Sequence, residues 1–225
     1  MCARATLTVS ADDLEETFGH EVPTGYRPSF NLAPTQPLLV LSERDDGVVF
    51  QHVRWGLVPF WADDESIGRR LINGRSETVA TKPAFRAAYA KRRCLVVVDG
   101  FYEWQRAPDG KRPHRIRMRS CEPFTLAAIW ERWERGPEPL ETCAVLTTAA
   151  NALMAPIHDR MPVVVASADR AAWLGAEASR ERLGELLRPY PGDELEAYEV
   201  STLMNNPRRN EPACITPVDP PLSLL

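Results

Sequence analysis

The 225-residue sequence has no apolar run close to the roughly 20 residues that a transmembrane helix needs. Its N-terminus lacks an apolar segment followed by a signal-peptide cleavage site. The sequence also lacks a Walker loop, a Gly-x-Gly-x-x-Gly loop, a His-Glu-x-x-His motif and a Gly-x-Ser-x-Gly motif. These absences argue against the common nucleotide-binding, metalloprotease and serine-hydrolase classes. We expect a cytoplasmic protein that does not contact membranes.

Cysteine is sparse and scattered. The five cysteines are odd in number, and none forms a Cys-x-x-Cys pair, so neither a zinc site nor a thioredoxin motif is indicated. We therefore expect no metal and no cofactor. Cys94, Cys121, Cys143 and Cys214 are interpreted as small core hydrophobes in a reducing compartment.

No repeat, low-complexity tract or linker interrupts the chain, so residues 1–225 are predicted to form a single domain. Many short strands with few helices between them indicate an α+β fold. We predict a mainly antiparallel, barrel-like β-sheet with several short helices packed at its ends and side. The predicted helices span residues 11–18, 83–93, 168–174 and 180–187, with a helical turn at 149–154. The predicted strands span residues 3–9, 38–41, 48–55, 94–99, 101–105, 115–119, 124–130, 143–148, 161–165 and 196–201, and residues 26–37 are predicted to be a loop.

Acidic residues are scarce in the middle of the chain. Residues 66–120 contain 14 Lys and Arg against four Asp and Glu, a net charge of +10, whereas the whole chain carries −4. This distribution is typical of one electropositive surface on an otherwise acidic protein. The alternative is that these charges lie on separate solvated faces.

Cys2 directly follows the initiator methionine. Methionine is commonly removed before a small residue, and removal would leave Cys2 with a free α-amine beside its thiol. The amine titrates at about 7.7–8.0 and the thiol at about 8.5, so both are usable near neutral pH. Together they can condense with an aldehyde to a thiazolidine, and the amine can act as base for the thiol. Position alone leaves open that Cys2 has no chemical role.

Three further residues have the chemistry of an active site. Asn73 precedes a glycine that allows a ligand to approach closely, and its amide can bind a carbonyl or hydroxyl group. Glu103 lies between two aromatic residues in a predicted strand, where its pKa should rise to suit proton transfer. His158 lies in a loop before an apolar strand and can act as a general acid or base. Each could instead be structural: a capping Asn, a solvent-facing Glu and a solvated loop His.

Other segments suit nucleic-acid binding. Arg75 can form a bidentate contact with a phosphate. The amide- and arginine-rich segment 201–209 can bind phosphate or a base edge, although it also reads as an ordinary Asn-Pro turn. Trp55 and Trp61 lie in one short segment with Arg54 and Gly56. Exposed aromatic side chains beside arginines stack on the bases of single strands. Buried aromatic side chains at a barrel end would give the same pattern.

The ordered set of motifs resembles the SRAP family (SOS response-associated peptidase). The resemblance runs from residue 2 to about residue 209 and is carried by short segments. These are Met1-Cys2, Asn31-Leu32-Ala33-Pro34-Thr35-Gln36, Arg54-Trp55-Gly56-Leu57-Val58-Pro59, Asn73-Gly74-Arg75-Ser76-Glu77-Thr78, Arg93-Cys94-Leu95 through Asp99-Gly100-Phe101-Tyr102-Glu103-Trp104, His158-Asp159-Arg160-Met161-Pro162, and Ser201-Thr202 through Asn205-Asn206-Pro207-Arg208. At position 3 this chain has Ala where the family usually has Gly.

The resemblance implies that Cys2, exposed by loss of Met1, attacks the ring-opened aldehyde of an abasic site in single-stranded DNA. The product would be a thiazolidine DNA–protein crosslink that shields the lesion. The family is also credited with autoproteolytic removal of its first residue, and an imine intermediate permits an abasic-site lyase side reaction. The resemblance places Asn73, Glu103 and His158 around Cys2 as the catalytic group.

The resemblance also implies a set of DNA-binding residues and partners. The residues are Arg4, Asn31, Trp55, Arg75, Arg86, Asn205, Asn206 and Arg208. The expected partner is single-stranded DNA that contains abasic sites, bound by a monomer that is nucleoid-associated while on DNA. Proteins of the replication fork are further candidate partners.

Three alternatives remain open at this point. An N-terminal-nucleophile amidohydrolase would use Cys2 but would leave the basic segment without a role. A thiol peptidase acting in trans would cleave other proteins. A non-covalent single-strand binder would not use Cys2 at all.

Overall fold

Two β-sheets make up most of the structure, a computed structural model that describes residues 2–108 and 110–218. The strands are β1 (Ala5–Leu7), β2 (Ser29–Leu32), β3 (Pro37–Arg44), β4 (Gly47–Trp55), β5 (Asn73–Arg75), β6 (Arg93–Val98), β7 (Gly100–Ala107), β8 (Gly110–Met118), β9 (Phe124–Trp133), β10 (Leu140–Ala149), β11 (Arg160–Pro162), β12 (Val164–Val165) and β13 (Leu195–Glu199). The α-helices are α1 (Ala11–Phe18), α2 (Arg86–Lys91), α3 (Arg170–Leu174) and α4 (Arg180–Leu186). Short 3₁₀ helices span Glu65–Arg70, Ser167–Asp169, Thr202–Asn205 and Pro212–Cys214.

The first sheet is antiparallel and has the strand order β13-β8-β7-β1-β2. Strand β1, which follows Cys2, lies between β2 and β7 in this sheet. It pairs with β7 at only two positions, Ala5 with Phe101 and Thr6 with Gly100. The regular ladder therefore ends before it reaches Cys2.

The second sheet is partly ring-like. Strands β4, β3, β6, β9 and β10 pair successively and antiparallel, and a short parallel pairing of β10 with β4 closes the ring. Strand β5 also pairs parallel with β10, while β11 pairs antiparallel with it. The α+β class and the mainly antiparallel, barrel-like sheet are confirmed.

The core has two apolar layers, one on each face of the second sheet. Along β6, Leu95 and Val97 pack with the helices, whereas Val96 and Val98 pack with the first sheet. This is the two-residue alternation of a strand, with both faces covered. The covered faces explain the uninterrupted apolar run of β6.

Most of the predicted elements are present, with local corrections. Helix α1 has the predicted bounds because Ser10 accepts a hydrogen bond from the Asp13 N–H at its start and Gly19 adopts φ 73° at its end. Helix α2 is shorter than predicted at both ends, because residues 83–85 form a turn and Arg93 already belongs to β6. The predicted loop 26–37 contains β2, and the predicted strand 161–165 is divided into β11 and β12.

The cysteine prediction is correct for three of the four later residues. Cys94, Cys143 and Cys214 are buried, but Cys121 is exposed in a turn with φ 64°. Its assignment to the core was therefore wrong. No helix in the described residues is long and apolar enough to cross a bilayer.

Candidate active site

Cys2 is almost completely buried, with 1% of its surface exposed. Its thiol lies 3.8 Å from the carbonyl oxygen of Arg4. Burial, and secondly the negative charge of Glu103, raise the pKa of the thiol well above its usual range. The thiol is therefore protonated at neutral pH in this conformation. Ala3 does not have the positive φ that would favour glycine, so alanine is accommodated at this position.

Asn73 contacts Cys2 directly. It is the first residue of β5, whose pairing with Val145 of β10 fixes its backbone. Its side-chain amide nitrogen donates a 2.7 Å hydrogen bond to the carbonyl oxygen of Cys2. Its amide oxygen is buried and has no hydrogen-bond partner among the described residues. That oxygen is thus an available acceptor beside the nucleophile.

Glu103 lies in β7 with 1% of its surface exposed. Burial raises the pKa of its carboxyl group, and the nearby His158 acts in the opposite direction. Tyr102, the preceding residue, donates its backbone N–H to the Arg4 carbonyl at 3.0 Å, which brings this part of β7 alongside the N-terminus. A carboxyl group in such surroundings suits proton transfer near neutral pH.

His158 completes this cluster from the loop before β11. Its Nδ1 atom accepts a hydrogen bond from the Arg160 backbone N–H at 3.0 Å. The carboxylate of Asp159 lies 2.9 Å from the same Nδ1 atom. Cys2, Asn73, Glu103 and His158 are thus linked by hydrogen bonds and electrostatic interactions.

Arg160 lies next to this cluster and was not among the residues predicted for the site, although its backbone N–H donates to His158. Its guanidinium group binds both carboxylate oxygens of Glu77, at 2.6 and 3.0 Å, and the carbonyl oxygen of Thr147 at 2.6 Å. It therefore ties the β5 end of the site to β10 and β11. The His-Asp-Arg motif was the available signal, because it places a cation two residues after His158.

The predicted DNA-binding residues fall into three groups. The first group is exposed to solvent, and its assignment to DNA binding stays a prediction. It contains Arg75, Arg86, Asn205, Asn206 and Arg208.

Trp55 forms the second group and lies in the core. Only 1% of its surface is exposed, and its indole N–H donates to the Ile72 carbonyl at 2.9 Å. The expectation that its ring stacks on a DNA base is wrong for this conformation, because the ring has no solvent-facing surface. The exposed aromatic side chains of this segment are Phe60 and Trp61, at 52% and 41%.

Arg4 and Asn31 form the third group, and both make internal contacts. Arg4 donates to the Asn31 side-chain oxygen at 2.6 Å and to the carbonyls of Met204 and Asn205 at 2.7 and 3.0 Å. Asn31 is 1% exposed. Burial lowers the pKa of Arg4. These two predicted DNA contacts are thus directed at the protein itself.

Several arginines of the basic segment 66–120 bind acidic side chains or backbone carbonyls of the protein itself. Arg115 is buried and lies 3.1 Å from the Asp99 carboxylate. Arg93 donates to four backbone carbonyls. Arg92 and Arg117 pair with acidic side chains at 2.7 and 2.6 Å. The surface available to a polyanion is therefore smaller than the +10 of the sequence suggests.

Within residues 2–108 and 110–218, no group of three or more His, Cys, Asp or Glu side chains is arranged to hold a metal ion.

Comparison with known proteins gives the family. Residues 1–207 match the family described as SOS response associated peptidase (SRAP). The chain belongs to this family. It is 42% identical over 222 residues to the abasic site processing protein YoqW of Bacillus subtilis, covering 96% of this chain and 99% of that protein. It is 31% identical to the abasic site processing protein YedK of Escherichia coli, covering 97% and 100%.

Solved structures support the fold. A crystal structure of a protein from Bacteroides thetaiotaomicron superposes with a TM-score of 0.88 at 24% identity, covering 96% of this chain and 99% of that one. A phage-related protein from Bordetella bronchiseptica gives 0.70 at 26% identity, covering 88% and 94%.

Proposed function

We propose that this protein processes abasic sites in single-stranded DNA by capturing their ring-opened aldehyde covalently at Cys2. The observation that carries the proposal is the 2.7 Å hydrogen bond from Asn73 to the Cys2 carbonyl, beside the buried carboxyl of Glu103. Membership of the SRAP family and the names of the relatives, which are abasic site processing proteins, support an abasic site as the substrate.

The capture requires that the Met1–Cys2 peptide bond is first hydrolysed, because an acylated nitrogen cannot form an imine. The freed amine of Cys2 then attacks the aldehyde carbon C1, and loss of water gives the imine. The thiol adds to the same carbon and its proton passes to the nitrogen, which closes the five-membered thiazolidine. In this scheme the amine is the first nucleophile and the thiol the second.

Each neighbour of Cys2 has a role in this sequence. Glu103 takes and returns the protons of the amine. His158 can protonate the sugar ring oxygen, which favours the open aldehyde. Asn73 holds the Cys2 backbone, and its buried amide oxygen can accept a hydrogen bond from a sugar hydroxyl. β-Elimination from the imine would give strand cleavage as a side reaction.

The exposed cations supply the contacts with the phosphates on either side. Arg75 follows Asn73 by two residues and is exposed, so a strand bound there passes the nucleophile. A complex of this type weakens as the salt concentration rises, because phosphate contacts release counterions.

Intact-mass measurement after mixing with a single strand that contains one abasic site tests the proposal. We expect a protein lacking Met1 and a heat-stable adduct whose mass equals protein plus DNA minus one water. Cys2→Ala should form no such adduct, whereas Cys121→Ala, which removes an exposed cysteine, should form it normally. An adduct of equal yield in Cys2→Ala would refute the mechanism.

A further inference from the structure

The loop of residues 201–210 contacts Arg4, just before β1, and Trp104 in β7, which carries Glu103. The backbone carbonyl of Asn205 accepts a 3.0 Å hydrogen bond from Arg4, two residues after Cys2. The side-chain oxygen of the same Asn205 accepts a 2.7 Å hydrogen bond from the indole N–H of Trp104, the residue after Glu103. One residue therefore connects the neighbours of the nucleophile and of the carboxylate.

Asn31 fixes the shape of this loop. Its amide nitrogen lies within hydrogen-bond distance of the carbonyl oxygens of Met204, Asn206 and Arg209, at 3.0, 3.1 and 2.8 Å. Its amide oxygen accepts the 2.6 Å hydrogen bond from Arg4. Because Asn31 is buried, these contacts are not exchanged for water, and the loop has a defined position.

The hydrogen bonds of Arg4 in the described structure all go to neutral oxygens of Asn31, Met204 and Asn205. Burial lowers its pKa. A guanidinium group committed in this way to carbonyl and amide oxygens serves mainly to join segments of the protein.

The first sheet does not by itself set the geometry between Cys2 and Glu103. The β1–β7 pairing covers only Ala5 with Phe101 and Thr6 with Gly100, and one further backbone hydrogen bond joins Tyr102 to Arg4. Beyond that point Asn73 holds the Cys2 backbone from β5, and the hydrogen bonds of Asn205 connect Arg4 with Trp104 of β7.

We propose that Asn205 is a positioning residue that sets the separation of Cys2 and Glu103 through Arg4 and Trp104. This inference rests on the proposed function, since it assigns Asn205 to the same reaction. In this proposal Asn205 positions other residues of the site, in place of the direct DNA contact that the family resemblance implies. Loss of the Asn205 side chain should therefore slow the chemical step and leave the affinity for DNA unchanged.

The test compares Asn205→Ala, Asn205→Asp and Trp104→Phe with the unaltered protein. Single-turnover crosslinking at saturating abasic single strand gives the rate, and binding to an intact strand of the same sequence gives the Kd. We expect Asn205→Ala and Trp104→Phe each to lower the rate on the order of tenfold with the Kd unchanged, since small displacements at a reacting centre are costly. Asn205→Asp keeps the acceptor for Trp104 and should restore most of the rate.

Two controls make the result specific. Thr17→Ala, an exposed substitution on α1 and outside the loop, should leave the rate unaltered. The double variant Asn205→Ala/Trp104→Phe should be no slower than either single variant, because both remove the same hydrogen bond. Thermal unfolding of each variant shows whether the fold is retained.

A DNA-independent measurement separates this inference from the proposed function. Iodoacetamide labelling located by peptide mass should modify Cys2 faster in Asn205→Ala, with the exposed Cys121 as internal standard. If the unaltered protein forms no Cys2-dependent adduct, the proposed function fails and labelling alone decides the role of Asn205. Equal labelling of Cys2, equal rates, or a raised Kd at an unchanged rate would each overturn the positioning role.

Discussion

The side-chain amide of Asn73 and the backbone carbonyl of Cys2 are joined by a 2.7 Å hydrogen bond across 71 residues of sequence. This bond holds the residue next to the chain terminus against strand β5, where a regular β-ladder no longer does so. The reactive residue is thus fixed by a side chain, and a substitution there can alter chemistry with little change to the fold.

Asn73→Ala should slow crosslinking on the order of tenfold to a hundredfold, because the Cys2 backbone loses its donor and can move from the reacting position. Asn73→Asp should be slower still, since it also lacks the donor and adds a negative charge near Glu103. Single-turnover assays on an abasic single strand measure both rates. Rates equal to that of the unaltered protein, with retained thermal stability, would contradict the role of Asn73.

Glu103→Gln should slow crosslinking and make the folded protein more stable at high pH. Burial raises the pKa of Glu103 in the folded state, so the folded protein holds this proton more tightly than the unfolded chain does. Stability therefore falls as the pH rises from the unfolded pKa through the folded one, and the glutamine variant lacks this fall. We expect a gain of about 1 kcal/mol at pH 8 and little at pH 4.

Chemical denaturation of both proteins at the two pH values measures the effect of Glu103. Greater stability of the unaltered protein at pH 8 would mean that Glu103 is stabilised by its surroundings as a carboxylate, contrary to the raised pKa.

Arg75→Ala should weaken binding to intact and abasic strands alike and reduce the slope of log K against log salt by about 0.7, the value for one phosphate contact on a single strand. Arg182→Ala is the matched control, because Arg182 lies on α4 and pairs with Asp169 and Glu185. Fluorescence anisotropy over a range of salt concentrations gives both slopes. An unchanged slope for Arg75→Ala would show that this side chain does not contact phosphate.

Trp61→Ala should weaken binding to single-stranded DNA, whereas Trp55→Ala should lower the stability of the fold. Trp61 is 41% exposed, so its loss should weaken single-strand binding by about 1–3 kcal/mol through lost stacking and leave unfolding unchanged. Trp55 is 1% exposed, and its loss should lower the free energy of unfolding by about 3–5 kcal/mol. Paired binding and denaturation curves distinguish the two effects, and a stable Trp55→Ala protein with impaired binding would reverse the assignment.

Arg115→Ala should destabilise the fold by about 3–5 kcal/mol, because it leaves the buried carboxylate of Asp99 without its cation. The double variant Asp99→Asn/Arg115→Met should be less destabilised, since it leaves no unpaired charge. Urea denaturation of the three proteins checks the order. Equal stability of Arg115→Ala and the unaltered protein would show that Thr6 and Thr8, which also bind Asp99, suffice to hold the carboxylate.

Local signals in the sequence predict part of this fold well. Helix α1 has its cap, its first-turn acids and its terminal glycine within ten residues, so its bounds are readable. Strand β5 has three residues including a glycine, and it forms only because β10, some 70 residues later, offers an edge for parallel pairing. No local pattern reports such a distant partner.

The sequence predicted the functional groups of the candidate site better than the directions in which its side chains point. The carboxylate at Glu103 and the imidazole at His158 have recognisable sequence settings. Burial of Trp55 depends on the carbonyl of Ile72 as acceptor, and Arg4 faces inward because the loop of residues 201–210 returns to it. Motif order predicts which residues meet, whereas packing decides which of them face solvent.

The contact of Arg4 with Asn205 spans 201 residues, nearly the whole chain. In the order of synthesis, Arg4 is made 201 residues before the Asn205 that binds it. Until residues 201–210 have followed, Arg4 lacks its hydrogen bonds to Met204 and Asn205, and Asn31 alone accepts from it. A chain that ends before residue 201 would therefore keep the contact of Asn73 with Cys2 but lack the connection between Arg4 and Trp104.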